Sequence, residues 1–269
     1  MSSKQVVKAA INSAVSQGMI SAKTAKDILE PLDDIAAAGA GGVDVDSIDS
    51  EDATLVAVVI DASDSMSPYQ SAVIDAYNKH FLAPLQKAKN ADSIYVTTWV
   101  FSSIGSPQGD CRLVHGYKPV KDVQKLDKNV YSPNGMTPLN KAVHHAITGM
   151  VGYGQQLRDA GTNTKCIVVV LSDGEENSSG AGFSNTMIKR VSEDLLKQEI
   201  YILSYAFFGD ESKGKQYADN IGFPDRHRIN ASLTDAEIRR IFGTVSASVI
   251  SASQSSVSSS GLSSNAFFV

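Results

Sequence analysis

Apolar positions along the chain follow two rhythms. From Ser3 to about Gly18, Val7, Ile11, Ala14 and Val15 recur at the three- and four-residue steps of a helix face, and the glycine supplies a stop. A second helical run opens behind Ser21, a suitable N-cap, and carries Ile28, Leu29, Leu32 and Ile35 past Pro31, whose missing N–H should kink or split it. Residues 1–38 therefore predict a helical hairpin. Residues 39–52 are glycine-rich and then acidic, offer little to pack, and predict a mobile linker. The "GAGG" within them neither follows a strand nor opens a helix, so no phosphate loop is expected there.

After residue 53 the rhythm changes. "TLVAVVI" (54–60), "SIYVTTWVF" (93–101), "KCIVVVLS" (165–172) and "IYILSYAFF" (200–208) read as strands, and their near-continuous apolar character suits burial on both faces. Helical patterns fall between and after them at 67–82, 138–159, 186–198, 212–221 and from Thr234 into the 240s. This alternation predicts a Rossmann-like, doubly wound α/β domain over residues 53–250, with a mostly parallel sheet and helices on both faces. "CRLVHGYKPV" (111–120) adds a strand whose direction is open. Residues 251–269 are dominated by serine and predict a flexible tail, whose apolar end "AFFV" either docks or frays.

Composition narrows the function. A net charge of −5 argues against nucleic acid, because phosphate contacts demand clustered Lys and Arg. Cys111 and Cys166 do not suggest a disulfide framework and fit a reducing compartment. The first residues interleave lysine with apolar positions, unlike a signal peptide, and no run approaches the roughly 18 apolar residues of a membrane span. A cytoplasmic location with no membrane contact is expected.

The candidate chemistry lies where strands end. In a doubly wound sheet ligands collect at the carboxyl ends of the strands, and "DASDS" puts Asp61, Ser63 and Ser65 there at alternate positions, so three oxygen-bearing side chains lean the same way. One acid and two hydroxyls carry modest charge, a set closer to Mg²⁺ than to a carboxylate-rich Ca²⁺ cage. "GMTPL" places Thr137 before Pro138 at a helix start, and "LSDGEEN" places Asp173 at the end of another strand. Each has a local alternative, Thr137 as a helix cap and Ser172-Asp173-Gly174 as an ordinary turn.

Taken together, "DASDS", "GMTPL" and "LSDGEEN" resemble the DxSxS, threonine and aspartate loops of von Willebrand factor type A domains, in that family's order, across about residues 53–250. The resemblance implies a metal-ion-dependent adhesion site. Ser63, Ser65 and Thr137 would give hydroxyl oxygens to Mg²⁺, or to Mn²⁺ or Ca²⁺, and Asp61 and Asp173 would hold the ion mainly through water. A Glu or Asp of a partner protein would complete the shell. Within the family, "IRRIFGTVSASV" and the serine-rich end resemble the bacterial cytoplasmic TerY type of tellurium-resistance and stress operons. That implies a scaffold or adaptor with kinase- or phosphatase-like partners. The N-terminal hairpin departs from the bare domain.

Two other functions compete. Asp61 could serve a phosphotransferase or hydrolase as a strand-end nucleophile, but the general acid such enzymes want two residues on is Ser63 here. Glu175 and Glu176 read as solvated or helix-capping acids rather than bases. His144 and His145 are neighbours on a helix, about 100° apart, so one should pack and the other be exposed. Binding rather than catalysis is expected; a metal-free structural module is the third reading.

Overall fold

The computed structural model describes residues 1–48, 50–103, 110–255 and 266–269. Three N-terminal helices, α1 (Ser3–Ser16), α2 (Ala22–Leu29) and α3 (Asp34–Gly39), precede β1 (Asp52–Asp61). The next helical stretch runs as α4 (Gln70–Asp75), a π-helical segment (Ala76–Leu82) and α5 (Ala83–Gln86). Then follow β2 (Ile94–Ser102), β3 (Asp110–Pro119), α6 (Leu139–Asp159), β4 (Asn163–Ser172), α7 (Asn185–Leu195), β5 (Tyr201–Phe208), α8 (Glu211–Asn220), β6 (Arg228–Ala231) and α9 (Asp235–Gln254).

The six strands form one sheet in the order β3-β2-β1-β4-β5-β6, parallel throughout except for β3, which runs antiparallel to β2. β1 is interior, with Asp61 beside Phe101 of β2 and Ile60 beside Leu171 of β4. The unbroken apolar runs now have their reason. Leu55, Ala57 and Val59 face a core under α6 and α7, while Val56, Val58 and Ile60 face a second core under α9 and the π-helical segment. The doubly wound sheet expected from the strand pattern is the one observed.

The N-terminal segment departs from a two-helix hairpin. Pro31 lies in a break, α2 stopping at Leu29 and α3 starting at Asp34 behind the capping carboxylate of Asp33. α1 and α3 pack on α6, and α2 packs on α7, where Arg190 grips Asp27 with two hydrogen bonds of 2.9 and 2.8 Å. The stretch expected to be a mobile linker with nothing to pack is also anchored. Gly41 and Val43 bond to Tyr117 on the outer edge of β3, at 3.0 and 3.1 Å, and Tyr153 Oη donates to the Val43 carbonyl at 2.9 Å. Glycine is needed for that approach, since a Cβ on Gly42 would lie 2.5 Å from the Tyr153 ring. Val43, Val45 and Ile48 pack against the core, so the segment buries apolar side chains and shields an edge strand.

This covering explains a second difference. Both His144 and His145 are buried, not one, because the N-terminal helices cover the side of α6 that would otherwise meet solvent. His144 Nε2 lies 3.2 Å from the Asp27 carbonyl, and His145 Nε2 lies 3.0 Å from the Asp33 carboxylate. At the far end of the chain, residues 256–265 of the expected flexible tail lie outside the described residues. Residues 266–269 do not fray: Phe267 is buried against α9 and its N–H donates to the Arg226 carbonyl at 3.1 Å. Among the described residues, no helix is long and apolar enough to cross a membrane.

Burial, reinforced by the neighbouring His145, pushes His144 from 6.5 down to about 3. Between those values the unfolded chain binds a proton that the folded chain does not, so stability falls as pH drops. Between pH 7 and 5 this one residue is expected to cost about 2 kcal/mol. Urea midpoints at the two pH values check it: His144→Gln should reduce the pH difference by about that amount, and an equal difference in both chains would contradict the assignment.

Candidate metal centre

At the carboxyl end of β1 the chain turns away from the sheet. Ala62 donates to the Phe101 carbonyl at 2.9 Å and accepts from Asn134 N–H at 2.8 Å, so the turn is fastened to the neighbouring strand on one side and the 132–137 loop on the other. Asp61 stands at the turn with no exposed surface. Its Oδ1 accepts the Ser63 N–H at 2.8 Å, its Oδ2 accepts the Ser172 hydroxyl, and its own carbonyl accepts the Tyr131 hydroxyl at 2.7 Å. Burial pushes the Asp61 carboxyl up to about 6, even though the Ser172 and Ser63 hydrogen bonds pull the other way. An anion held this far from water favours a cation beside it.

The other candidate residues surround that carboxylate. Ser63 Oγ and Ser65 Oγ are 3.1 Å apart, and Ser65 Oγ donates to Asp173 Oδ1 at 2.9 Å, which links Asp61, Ser63, Ser65 and Asp173 in one polar run. Thr137 enters from the opposite loop. A Cβ built on Gly174 would lie 3.1 Å from Thr137 Oγ1 and 3.6 Å from Asp61 Oδ2, so the hydroxyl and the carboxylate flank one point and a side chain at 174 would crowd both. All five residues singled out in the sequence thus come together. Asp61, Ser63 and Thr137 are buried, Asp173 is half-buried and Ser65 is exposed, so the cluster opens to the surface on the side of Ser65.

The helix-cap alternative for Thr137 fails on geometry. The N-cap of α6 is Pro138, with no side-chain cap bond. The free N–H groups of the first turn go elsewhere, Asn140 N–H to Glu176 Oε2 at 2.6 Å and Lys141 N–H to Ser179 Oγ at 2.9 Å. Glu176 is thereby the capping acid, its charge placed favourably at a helix N-terminus, and Glu175 pairs with Lys213 at 2.9 Å on the surface. Thr137 is held by its backbone: its N–H donates to Asn177 Oδ1 at 2.8 Å and its carbonyl accepts the Asn177 N–H at 3.1 Å. Its hydroxyl is not consumed by the cap.

The donor set fits a hard divalent cation. It holds two carboxylates and three hydroxyls, all oxygen. Among the described residues there is no group of three or more His, Cys, Asp and Glu able to hold a metal, so a site here depends on the hydroxyls. Glu176 is the helix-capping acid that the sequence suggested, while supporting residues that sequence reasoning missed are Ser172, Tyr131 and Asn177. Ser172 and Asn177 lie within "LSDGEEN" and could have been suspected; Tyr131 reaches Asp61 across 70 residues with no local signal.

Comparison with known proteins bears on this arrangement. The profile of the von Willebrand factor type A domain matches residues 56–243. Comparison with curated protein sequences gives no match. Among solved structures, the pilus adhesin SpaC of Lactobacillus rhamnosus GG in its open conformation is 16% identical, with a TM-score of 0.53, and the match covers 74% of this chain and 30% of that one. The chain therefore spans less than a third of the adhesin's length. Manganese-loaded TRAP protein of Plasmodium vivax is 15% identical over 72% of this chain and 74% of that one, with a TM-score of 0.42. Proximal thread matrix protein 1 of the mussel byssus, with a zinc-occupied MIDAS motif, is 15% identical with a TM-score of 0.44, covering 85% and 51%.

Two substitutions separate the roles of the threonine and aspartate loops. Glu176→Ala is expected to lose about 1–2 kcal/mol with the α6 cap. Thr137→Val in the metal-free chain is expected to stay within about 0.5 kcal/mol of wild type, since its hydroxyl caps nothing. Urea unfolding of both in EDTA checks this, and a loss of about 1 kcal/mol or more in Thr137→Val would restore the capping role.

Proposed function

Because the chain belongs to the von Willebrand factor type A domain family, we propose that it is a divalent-metal-dependent protein-binding module. The observation that carries this reading is the convergence of Asp61, Ser63, Ser65, Thr137 and Asp173 at one mouth beside the end of β1. In this reading Ser63, Ser65 and Thr137 would give hydroxyl oxygens to the ion, and Asp61 and Asp173 would hold it mainly through water. A bound Mg²⁺, or Mn²⁺ or Ca²⁺ in its place, supplies a Lewis-acidic contact for a carboxylate. The chain's own residues do the rest. The hydrogen bonds to Asp61 fix its carboxylate, the Asn177 pair fixes the Thr137 backbone, and the exposed side of Ser65 leaves an approach for a partner's Glu or Asp. With only two carboxylates in the set, Asp61 and Asp173, the residues here would leave a bound divalent ion open to an incoming acid.

The site favours binding over phosphoryl transfer. Both oxygens of Asp61 are engaged, one by the Ser63 N–H and one by the Ser172 hydroxyl, and the position two residues on offers a serine instead of an acid. Glu176 is occupied at the start of α6 and Glu175 with Lys213, so neither stands ready as a base. In the finer reading the chain is an adaptor of the TerY type, acting in the bacterial cytoplasm with kinase- or phosphatase-like proteins. The likeness of "IRRIFGTVSASV" and the serine-rich end to that type supports it.

Calorimetric titration with Mn²⁺ and Mg²⁺ tests the metal half. Wild type is expected to bind one ion per chain, and Asp61→Ala to lose at least tenfold in affinity while keeping its circular dichroism, since a strand-end carboxylate is not part of the apolar core. The partner half is tested by affinity capture from cell extract. Proteins held by wild type with Mg²⁺ should be released by EDTA and missed by Asp61→Ala. Capture indifferent to both changes would overturn the binding reading.

A further inference from the structure

Between β3 and α6 the chain runs beside the helical stretch from α4 to α5 and is fastened to it by three side-chain amides. Gln86 Nε2 donates to the carbonyls of Val120 (3.1 Å) and Val123 (3.2 Å), Asn78 exchanges two hydrogen bonds of 2.8 Å with the backbone of Leu126, and Gln70 Nε2 donates to the Tyr131 carbonyl at 2.9 Å. Between the Asn78 and Gln70 fastenings the loop makes a tight turn of its own. Asp127 Oδ1 accepts the N–H groups of Asn129 (2.8 Å) and Val130 (2.9 Å), and the Asp127 carbonyl accepts the Tyr131 N–H at 2.9 Å. A groove of about 420 Å³ lies there between helix and loop. Both of its walls are held by hydrogen bonds, so it is formed before anything enters it.

The groove has an apolar floor and a basic rim. Ile74, packed against the second core, and the buried Leu126 line the bottom, Lys79 stands on the helix wall, and Lys125 and Lys128 stand on the loop wall. Lys125 and Lys128 are exposed, and among the described residues no acid pairs with either. The two acids nearby are already engaged: Asp75 is shared by Lys79 at 2.5 Å and Arg239 at 3.5 Å, and Asp127 uses one oxygen in its own turn. Four cations, Lys79, Lys125, Lys128 and Arg239, thus stand against two acids, a local positive excess on a chain whose net charge is −5. Such an excess selects a partner of opposite sign. A polyphosphate backbone would leave Ile74 and Leu126 unused, whereas a peptide can fill the floor and the rim together. The groove shares no residue with the candidate metal centre, although the same loop reaches the Asp61 carbonyl through Tyr131.

We propose that this groove is a second protein-binding site, independent of the metal, that takes an acidic peptide segment of a partner. One apolar side chain of the segment sits on Ile74 and Leu126, and carboxylates on either side of it pair with Lys79, Lys125 and Lys128. The apolar contact supplies most of the affinity, and the lysines set the sign of the partner and speed its approach.

The test is run in EDTA, so its outcome does not depend on the metal reading. A phage-displayed library of random dodecapeptides is panned against the immobilised full chain, and the most enriched sequence is synthesised with an N-terminal fluorescein and titrated by anisotropy. Enriched sequences are expected to carry a Leu, Ile or Phe flanked by Asp or Glu. Lys125→Glu/Lys128→Glu, with folding checked by circular dichroism, is expected to bind the peptide about tenfold more weakly, and Asp61→Ala as tightly as wild type. Replacing the peptide's acids by Asn and Gln should cause a similar loss on the unaltered chain, a readout that holds even where the double variant does not fold. Failure of any sequence to enrich, enrichment of sequences without acids, binding that either charge change leaves as it was, or loss of binding in Asp61→Ala would each overturn the proposal.

Discussion

A carboxylate sealed from water at the end of an interior strand has to be satisfied by whatever the fold brings to it, and around Asp61 the chain brings a great deal. The turn after β1 supplies the Ser63 N–H, the end of β4 supplies the Ser172 hydroxyl, and the segment before α6 supplies the Tyr131 hydroxyl to the backbone carbonyl of the same residue. These contacts draw loops distant in sequence to one point. The same convergence carries Ser65, Thr137 and Asp173 to the mouth, so the geometry of the candidate site follows from the need to hold one buried charge.

Two loops share the task of holding Thr137 without using its hydroxyl. The segment after β4 reaches across to cap α6 with Glu176 and Ser179, and Asn177 brackets the threonine backbone. The N-terminal helices press on the other side of α6, where His144 and His145 meet Asp27 and Asp33. α6 is therefore enclosed along most of its length, and the loop at its start is positioned by a stiff element.

Much of this was legible in the sequence, because local patterns carried it. Strands buried on both faces leave unbroken apolar runs, and β1, β2, β4 and β5 were read from theirs; the five oxygen-bearing residues of the candidate site lay at strand ends and helix starts in three short motifs. What escaped depended on contacts far apart in the chain. β6 has only four residues, Arg228–Ala231, at an edge, too short for a period to register. Residues 39–52 looked like a linker because glycine usually means freedom, yet at Gly41 and Gly42 it permits the close approach to Tyr117 and Tyr153. The burial of both His144 and His145, and of Phe267, follows from which surfaces lie opposite them, which no local spacing encodes.

The central claim is that the hydroxyls of Ser63, Ser65 and Thr137, backed by Asp61 and Asp173, form a cation site. Anomalous diffraction from crystals grown with Mn²⁺ tests it most directly. One manganese peak is expected among the three hydroxyl oxygens, absent from crystals grown in EDTA. Well-ordered loops around Asp61 with no peak there, or manganese bound elsewhere on the chain, would contradict it.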